Sequence, residues 1–192
     1  MAYLGDTARF LREFARDPLH TAAVAPSSAA LAAAMVAPVP AGGVVVELGP
    51  GTGAFTRALQ ERHPARHLAV ELNPRWAARL ADLHPDVDVA RADAATLPAL
   101  LAGRGLGAVD AVVSGLPWVA YAGGGLHRVI ADSLAPTGVF TQFAYSATRW
   151  APPARRQLVD LREHFAEVTT TPVVWRNLPP AVVHRARMPL PG

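Results

Sequence analysis

The 192-residue sequence predicts an α/β fold, a mostly parallel seven-stranded sheet with helices on both faces and an N-terminal helical extension. Three observations predict it. From Gly43 onward, short β-branched runs alternate with alanine- and arginine-rich helical stretches. The buried-type run Val44–Leu48 leads directly into the glycine turn Gly49-Pro50-Gly51-Thr52-Gly53 and then into a helix. With 51% apolar residues, the chain can build one substantial core and is short for two. Residues 1–192 are therefore read as a single domain, with 1–40 a helical lid or docking extension and 41–192 the core.

In chain order, the strands are expected at Val44–Leu48, His67–Glu71, Val87–Arg91, Ala108–Ser114 and Val139–Tyr145. Helices are expected at Ala54–Arg62, Pro74–Leu83 and Gly125–Leu134, the last stopped by Pro136 and Gly138. A proline-led helix, Pro153–Phe165, precedes a terminal hairpin of Val168–Trp175, the turn Asn177-Leu178-Pro179-Pro180, and Ala181–Arg187. Ahead of the sheet come two helices, Thr7–Arg16 and Ser27–Val36, the second capped by Ser27 or Ser28 and stopped before Pro38.

Composition excludes several classes. There is no cysteine, hence no disulfide framework, thiolate metal site or thiol nucleophile. The first ten residues contain Asp6 and no long apolar block, so no secretory signal is expected, and the location expected is the cytoplasm. The alanine-rich stretch Thr21–Val46 is broken by prolines and glycines, which argues against a spanning helix. All 18 basic residues are arginine, yet the net charge is only +3, and no nucleic-acid partner is expected.

The glycine turn carries the chemistry. Glycines at a strand-to-helix turn let backbone approach a ligand, and free N–H groups at the helix start attract a carboxylate or phosphate. Eighteen residues after Gly53, Glu71 ends the second strand, where a carboxylate accepts both hydroxyl hydrogens of a ribose. Gly49, Gly51 and Ala54 also fit a loose dinucleotide pattern, but Glu47 ahead of the glycines and the short chain argue against a nicotinamide cofactor. The run E-L-G-P-G-T-G resembles the first motif of class I methyltransferases, which implies a Rossmann-like fold with S-adenosylmethionine as cofactor, S-adenosylhomocysteine as product and no metal. That resemblance assigns Glu47, Gly49, Pro50, Gly51, Thr52 and Gly53 to the methionine end. Asp93 and Ala94 fall where such enzymes meet the adenine amino group. Isolated strand-end acids such as Glu71 and Asp93 also serve as helix or turn caps.

The fourth strand ends in Ser114, a further cofactor-edge candidate, and runs into Gly115-Leu116-Pro117-Trp118. Methyl transfer needs a neutral amine held in line with the methyl carbon, so positioning and desolvation supply most of the rate. The carbonyls of Gly115 and Leu116 are candidate acceptors for the amine N–H groups, because Pro117 offers no competing donor. This loop resembles the N-x-P-Y signature of amino-methyltransferases, with glycine in place of asparagine and Trp118 in place of tyrosine. A glycine there suggests room for a head group bulkier than a base. Trp118 reads either as a substrate wall or as a core or hinge aromatic.

The segments Phe10-Leu11, Pro18–Ser28, E-L-G-P-G-T-G, Val113–Pro117, Gln142–Tyr145 and Trp175–Ala181 together resemble the soluble bacterial, Rhodobacter-type phosphatidylethanolamine N-methyltransferases. The resemblance implies methylation of a phospholipid amine towards phosphatidylcholine, with the enzyme peripheral at the inner membrane face. Phe10, Leu11 and Phe14 beside Arg9, Arg12 and Arg16 read either as an interfacial helix or as a lid packed on the sheet. Tyr121 and Tyr145 are candidates for orienting the amine or phosphate, and Arg176 for pairing with the phosphate. Ser28 is a candidate for closing the methionine pocket, and His20 is a weaker candidate base. Competing readings are a methyltransferase of a soluble small-molecule or peptide amine, an rRNA adenine dimethylase, and a cofactor-binding protein that transfers nothing.

Overall fold

The computed structural model of the chain describes residues 27–192. The expected helix Thr7–Arg16, its docking side chains Phe10, Leu11 and Phe14, and His20 lie outside the described residues.

Seven strands form one sheet: β1 (Val44–Leu48), β2 (Arg66–Glu71), β3 (Asp88–Arg91), β4 (Val109–Ser114), β5 (Leu134–Tyr145), β6 (Phe165–Thr170) and β7 (Ala181–Pro189). Their order is β3-β2-β1-β4-β5-β7-β6, with β1 to β5 parallel and β7 antiparallel to both neighbours. Six α-helices are described: α1 (Ala29–Val36), α2 (Ala54–Gln60), α3 (Pro74–Leu83), α4 (Leu97–Ala102), α5 (Leu126–Ser133) and α6 (Pro152–His164). Strand order reverses between β1 and β4, so the crevice for a ligand lies at the carboxyl ends of those two strands.

β1 reads as an apolar run broken only by Glu47 because both of its faces are covered. Val46 and Leu48 join Leu97, Leu101, Ile130, Phe140 and Leu161 in one core layer. Val45 joins Leu31, Met35, Phe55, Leu59 and Val113 in the layer opposite. The described part of the N-terminal extension is thus a core element: Leu31 and Met35 of α1 are fully buried. Removing either side chain costs about 2–5 kcal/mol.

Three regions depart from expectation. The helix expected to reach Leu134 stops at Ser133, and Leu134 already pairs with Val109. The register then jumps to Ala111 opposite Val139, so Ala135–Gly138 bulges outward. A Cβ at Gly138 would lie 2.9 Å from the Ala135 carbonyl, so the strand irregularity requires a glycine there. The first arm of the terminal hairpin is Phe165–Thr170, not Val168–Trp175. It starts where α6 ends because Phe165 is buried, and Pro172 interrupts the ladder, leaving Val174 one isolated bridge to Ala181. Finally, α4 and two 3₁₀ turns, Ala94–Thr96 and Trp118–Tyr121, fill stretches with no expected element. They span six residues or fewer, too few for a readable period.

Candidate active site

The glycine turn after β1 has three left-handed residues, Gly49 (φ 66°), Gly51 (φ 52°) and Gly53 (φ 80°). Each serves a different need. A Cβ on Gly49 would lie 2.6 Å from Leu116 Cδ2, so this glycine admits the loop after β4. Gly53 is the N-cap of α2 and packs on Leu80 and His84. Gly51 faces open space, as a residue lining a ligand site does. Within the turn, Gly53 N–H donates to the Pro50 carbonyl at 2.9 Å, while Thr52 is exposed.

The Glu71 carboxylate at the end of β2 spans the turn: Oε2 accepts from Gly51 N–H at 3.1 Å and Oε1 from Asn73 N–H at 2.9 Å. Its position beside the loop is the one the spacing predicted. Asp93 also performs the capping role weighed for it, since Oδ1 accepts from Ala95 N–H at 2.8 Å, but its side chain remains exposed. Asp93 and Ala94 line a cavity of about 440 Å³ whose other walls include Val70, Leu72, Leu116 and Val129. Apolar walls with one carboxylate at the edge suit a planar base bearing an amino group. The cavity adjoins the turn, because Gly49 N–H donates to the Val70 carbonyl and Leu116 packs on Gly49.

Glu47 occupies a more secluded place than expected. It is fully buried, and Oε2 accepts from Thr56 Oγ1 at 2.7 Å and pairs with His67 Nε2 at 3.2 Å. His67 Nδ1 in turn meets Gln60 Nε2 at 2.8 Å. These contacts tie β1 and β2 to the first two turns of α2, so Glu47 anchors the turn from below. Its other oxygen, Oε1, is buried with no hydrogen-bond partner among the described residues, leaving one acceptor to offer.

In the loop after β4, Gly115 N–H donates to the Leu48 carbonyl at 2.8 Å. A Cβ at Gly115 would sit 2.6 Å from the Gly49 carbonyl oxygen, so backbone contact between the two loops requires this glycine. That is a physical reason distinct from the head-group room expected from sequence. Ser114 Oγ is fully buried and accepts from Leu116 N–H at 3.2 Å and from Tyr121 Oη–H at 2.5 Å. Tyr121 therefore braces the loop, and its hydroxyl points inward instead of toward an acceptor. Burial pushes its pKa well above the ordinary phenol value.

Sequence reasoning missed what lies behind Tyr121. His127, fully buried, stacks on its ring with centroids 4.5 Å apart. Nδ1 of His127 meets Asp160 Oδ2 at 2.5 Å and Nε2 meets Gln142 Oε1 at 3.2 Å. Asp160 comes from α6 and Gln142 from β5, so a polar network joins three elements beneath the loop after β4. An apolar-face histidine in a short helix offers no sequence signal for this.

A crevice beside the loop is lined by Leu116, Pro117, Trp118, Phe143, Tyr145 and Gln157, among others. Trp118 is 37% exposed, so it forms a wall of this crevice and is not a core aromatic. Tyr145 is half-buried, stands edge-on to Phe143 at 5.5 Å, and is pushed up to about 12 by burial, which keeps its phenol protonated. Arg176 is exposed on the loop between β6 and β7. In the same loop, buried Asn177 accepts from Ser28 N–H through Oδ1 at 2.9 Å and donates from Nδ2 to the Pro179 carbonyl at 2.7 Å. Ser28 itself caps α1, Oγ accepting from Leu31 N–H at 3.1 Å. Ser28 and the R-N-L-P-P turn, separate in sequence, thus meet in one joint.

No family profile matches the chain. It is 35% identical over 188 residues to the ornithine lipid N-methyltransferase of Singulisphaera acidiphila, covering 93% of this chain and 94% of that one. Among solved structures, it is similar to Aeropyrum pernix fibrillarin in complex with S-adenosyl-L-methionine (TM-score 0.61, 19% identity, 81% of this chain and 73% of that one). It is also similar to a SAM-dependent O-methyltransferase of Thermotoga maritima (TM-score 0.59, 17% identity, 85% and 66%). A third similar structure, Thermotoga maritima spermidine synthase (TM-score 0.62, 14% identity, 83% and 59%), shows that the fold alone does not choose the reaction.

Proposed function

The chain belongs to the lipid N-methyltransferase family that includes the Singulisphaera ornithine lipid enzyme, and from that premise we propose that it methylates a primary amine on a membrane-lipid head group. S-adenosylmethionine would be the donor and S-adenosylhomocysteine the product. The single observation that carries this reading is the 35% identity, spread over nearly the full length of both chains. Phosphatidylethanolamine, the acceptor the sequence resemblance implied, and ornithine lipid share the primary amine, and the proposal covers that shared chemistry.

The residues present fit the cofactor. Gly51 leaves open the space that a side chain would fill, the cavity at Asp93 has apolar walls for a base, and Glu71 stands between them. The Gly49–Gly53 turn would hold the methionine end, Glu71 the ribose hydroxyls and Asp93 the adenine amino group. When bound, the cofactor supplies an electrophilic methyl group on a sulfonium. The chain's work is then positional. Carbonyl oxygens of Gly115 and Leu116 would accept from the amine N–H groups, and the Ser114–Tyr121 brace keeps those oxygens fixed. Trp118, Phe143 and Tyr145 exclude water around the nitrogen, which keeps the amine lone pair unsolvated.

The test is transfer of labelled methyl from S-adenosylmethionine to vesicles of ornithine lipid or phosphatidylethanolamine, beside a soluble-amine panel and adenine-bearing RNA. Label in either lipid supports the proposal. Label confined to the soluble amines or RNA, or cofactor binding without any product, contradicts it.

A further inference from the structure

A lipid amine is reached only from a bilayer surface, and no described helix is long and apolar enough to cross a membrane. Large apolar side chains are exposed beside the acceptor crevice: Trp150 at 72%, Trp175 at 77% and Leu178 at 69%. Exposed indoles in pairs are costly to leave in water and are at home where apolar and wet phases meet.

Their presentation is built into the fold. Buried Asn177 is tied to Ser28 and Pro179, and its N–H donates to the Val174 carbonyl at 3.3 Å, which turns its neighbours Trp175, Arg176 and Leu178 outward. Trp150 stands on the turn after β5, where Thr148 N–H donates to the Tyr145 carbonyl and Ala151 N–H to the Thr148 carbonyl. The two turns are joined: Ser146 N–H donates to the Pro180 carbonyl at 2.8 Å, and Tyr145 pairs with Ala181. The crevice opens from the same segment, through Tyr145, Thr148 and Ala154.

Charge indicates what covers this edge. Segments 146–157 and 172–181 contain Arg149, Arg155, Arg156 and Arg176 and no aspartate or glutamate. The Arg149 guanidinium lies over the Trp150 ring, 4.6 Å from its centroid, so a cation and an indole are offered together. We propose that the Trp150 turn and the Trp175–Leu178 turn form a docking edge for an anionic bilayer surface, which brings the crevice mouth to the head groups. The indoles enter the interface and the arginines meet lipid phosphates. This rests on the lipid-amine reading and adds the surface through which it operates.

The experiment compares the full chain with the double variant Trp150→Ala/Trp175→Ala in sedimentation with vesicles of phosphatidylcholine alone or mixed with phosphatidylglycerol. The wild type should associate with the anionic vesicles in a salt-sensitive way, and the variant should associate about tenfold less or weaker still. S-adenosylhomocysteine titration and the circular dichroism melt should match the wild type, which separates lost docking from lost fold. Equal association of the two proteins with anionic vesicles overturns the docking edge. So does a change confined to self-association in sedimentation velocity, which would make the edge a contact between copies. The function proposed above fails separately, if the wild type docks but no lipid acquires label.

Discussion

Tyr121 donates its hydroxyl to Ser114 Oγ, and Leu116 N–H donates to the same oxygen, so one buried atom sets the path of the acceptor loop. Tyr121→Phe removes one of the two donors while keeping the ring that stacks on His127. Loss of such a bond, with the buried serine left less satisfied, costs about 1–3 kcal/mol. The expected outcome is a lower kcat with unchanged cofactor affinity, measured by steady-state kinetics beside calorimetry. A change in cofactor affinity with intact kcat would show the brace serving the wrong half of the site.

Gly51→Val should abolish binding of S-adenosylhomocysteine in titration calorimetry. The residue has φ 52°, a conformation valine resists, and the added side chain would enter the space facing the turn. Wild-type affinity in a folded variant would exclude the turn as the cofactor cradle.

Gly115→Asn would restore the amide of the N-x-P-Y signature, yet should lower activity. Its Cβ would meet the Gly49 carbonyl at 2.6 Å, and forcing the two loops apart costs about 1–3 kcal/mol. A lowered melting temperature together with weakened cofactor binding is expected. A variant as stable and active as the wild type would show that the loops separate freely.

His184 predicts a pH dependence of stability. Burial, with the nearby charges of Arg162 and His127, holds its pKa down to about 4, against 6.5 as the ordinary value. The unfolded chain then binds more protons than the folded one between these values, so stability falls as pH drops from about 6.5 toward 4. The loss attributable to this residue reaches roughly 3 kcal/mol at the acid end. Denaturant titrations of wild type and His184→Gln across that window should show a shallower slope for the variant. Parallel slopes would exclude His184 as the cause.

How much was legible in the sequence follows from the range of the forces involved. The glycine turn and Glu71 were legible because a strand, a turn and a helix start are contiguous, and a second strand returns at fixed spacing. Trp118 is legible as a residue of the loop after β4, and its exposure excludes only the reading as a core aromatic. At Gly115 the sequence does not show the steric need for glycine, since the Gly49 carbonyl that demands it is far away in sequence. The Ser28–Asn177 joint and the His127–Asp160 contact were invisible for the same cause, because partners 149 and 33 residues apart leave no periodic trace. For Tyr121, a hydroxyl's direction is set by packing, here against His127, which sequence does not reveal.

The most direct test of the central claim is a crystal structure with S-adenosylhomocysteine and an ornithine head-group analogue. The adenine should lie between Leu116 and Asp93, the ribose hydroxyls on Glu71, the amino-acid end on Gly49–Gly53, and the analogue's amine against the Gly115 and Leu116 carbonyls. A nucleoside bound away from the glycine turn, or an amine held on the far side of Trp118 from those carbonyls, would contradict it.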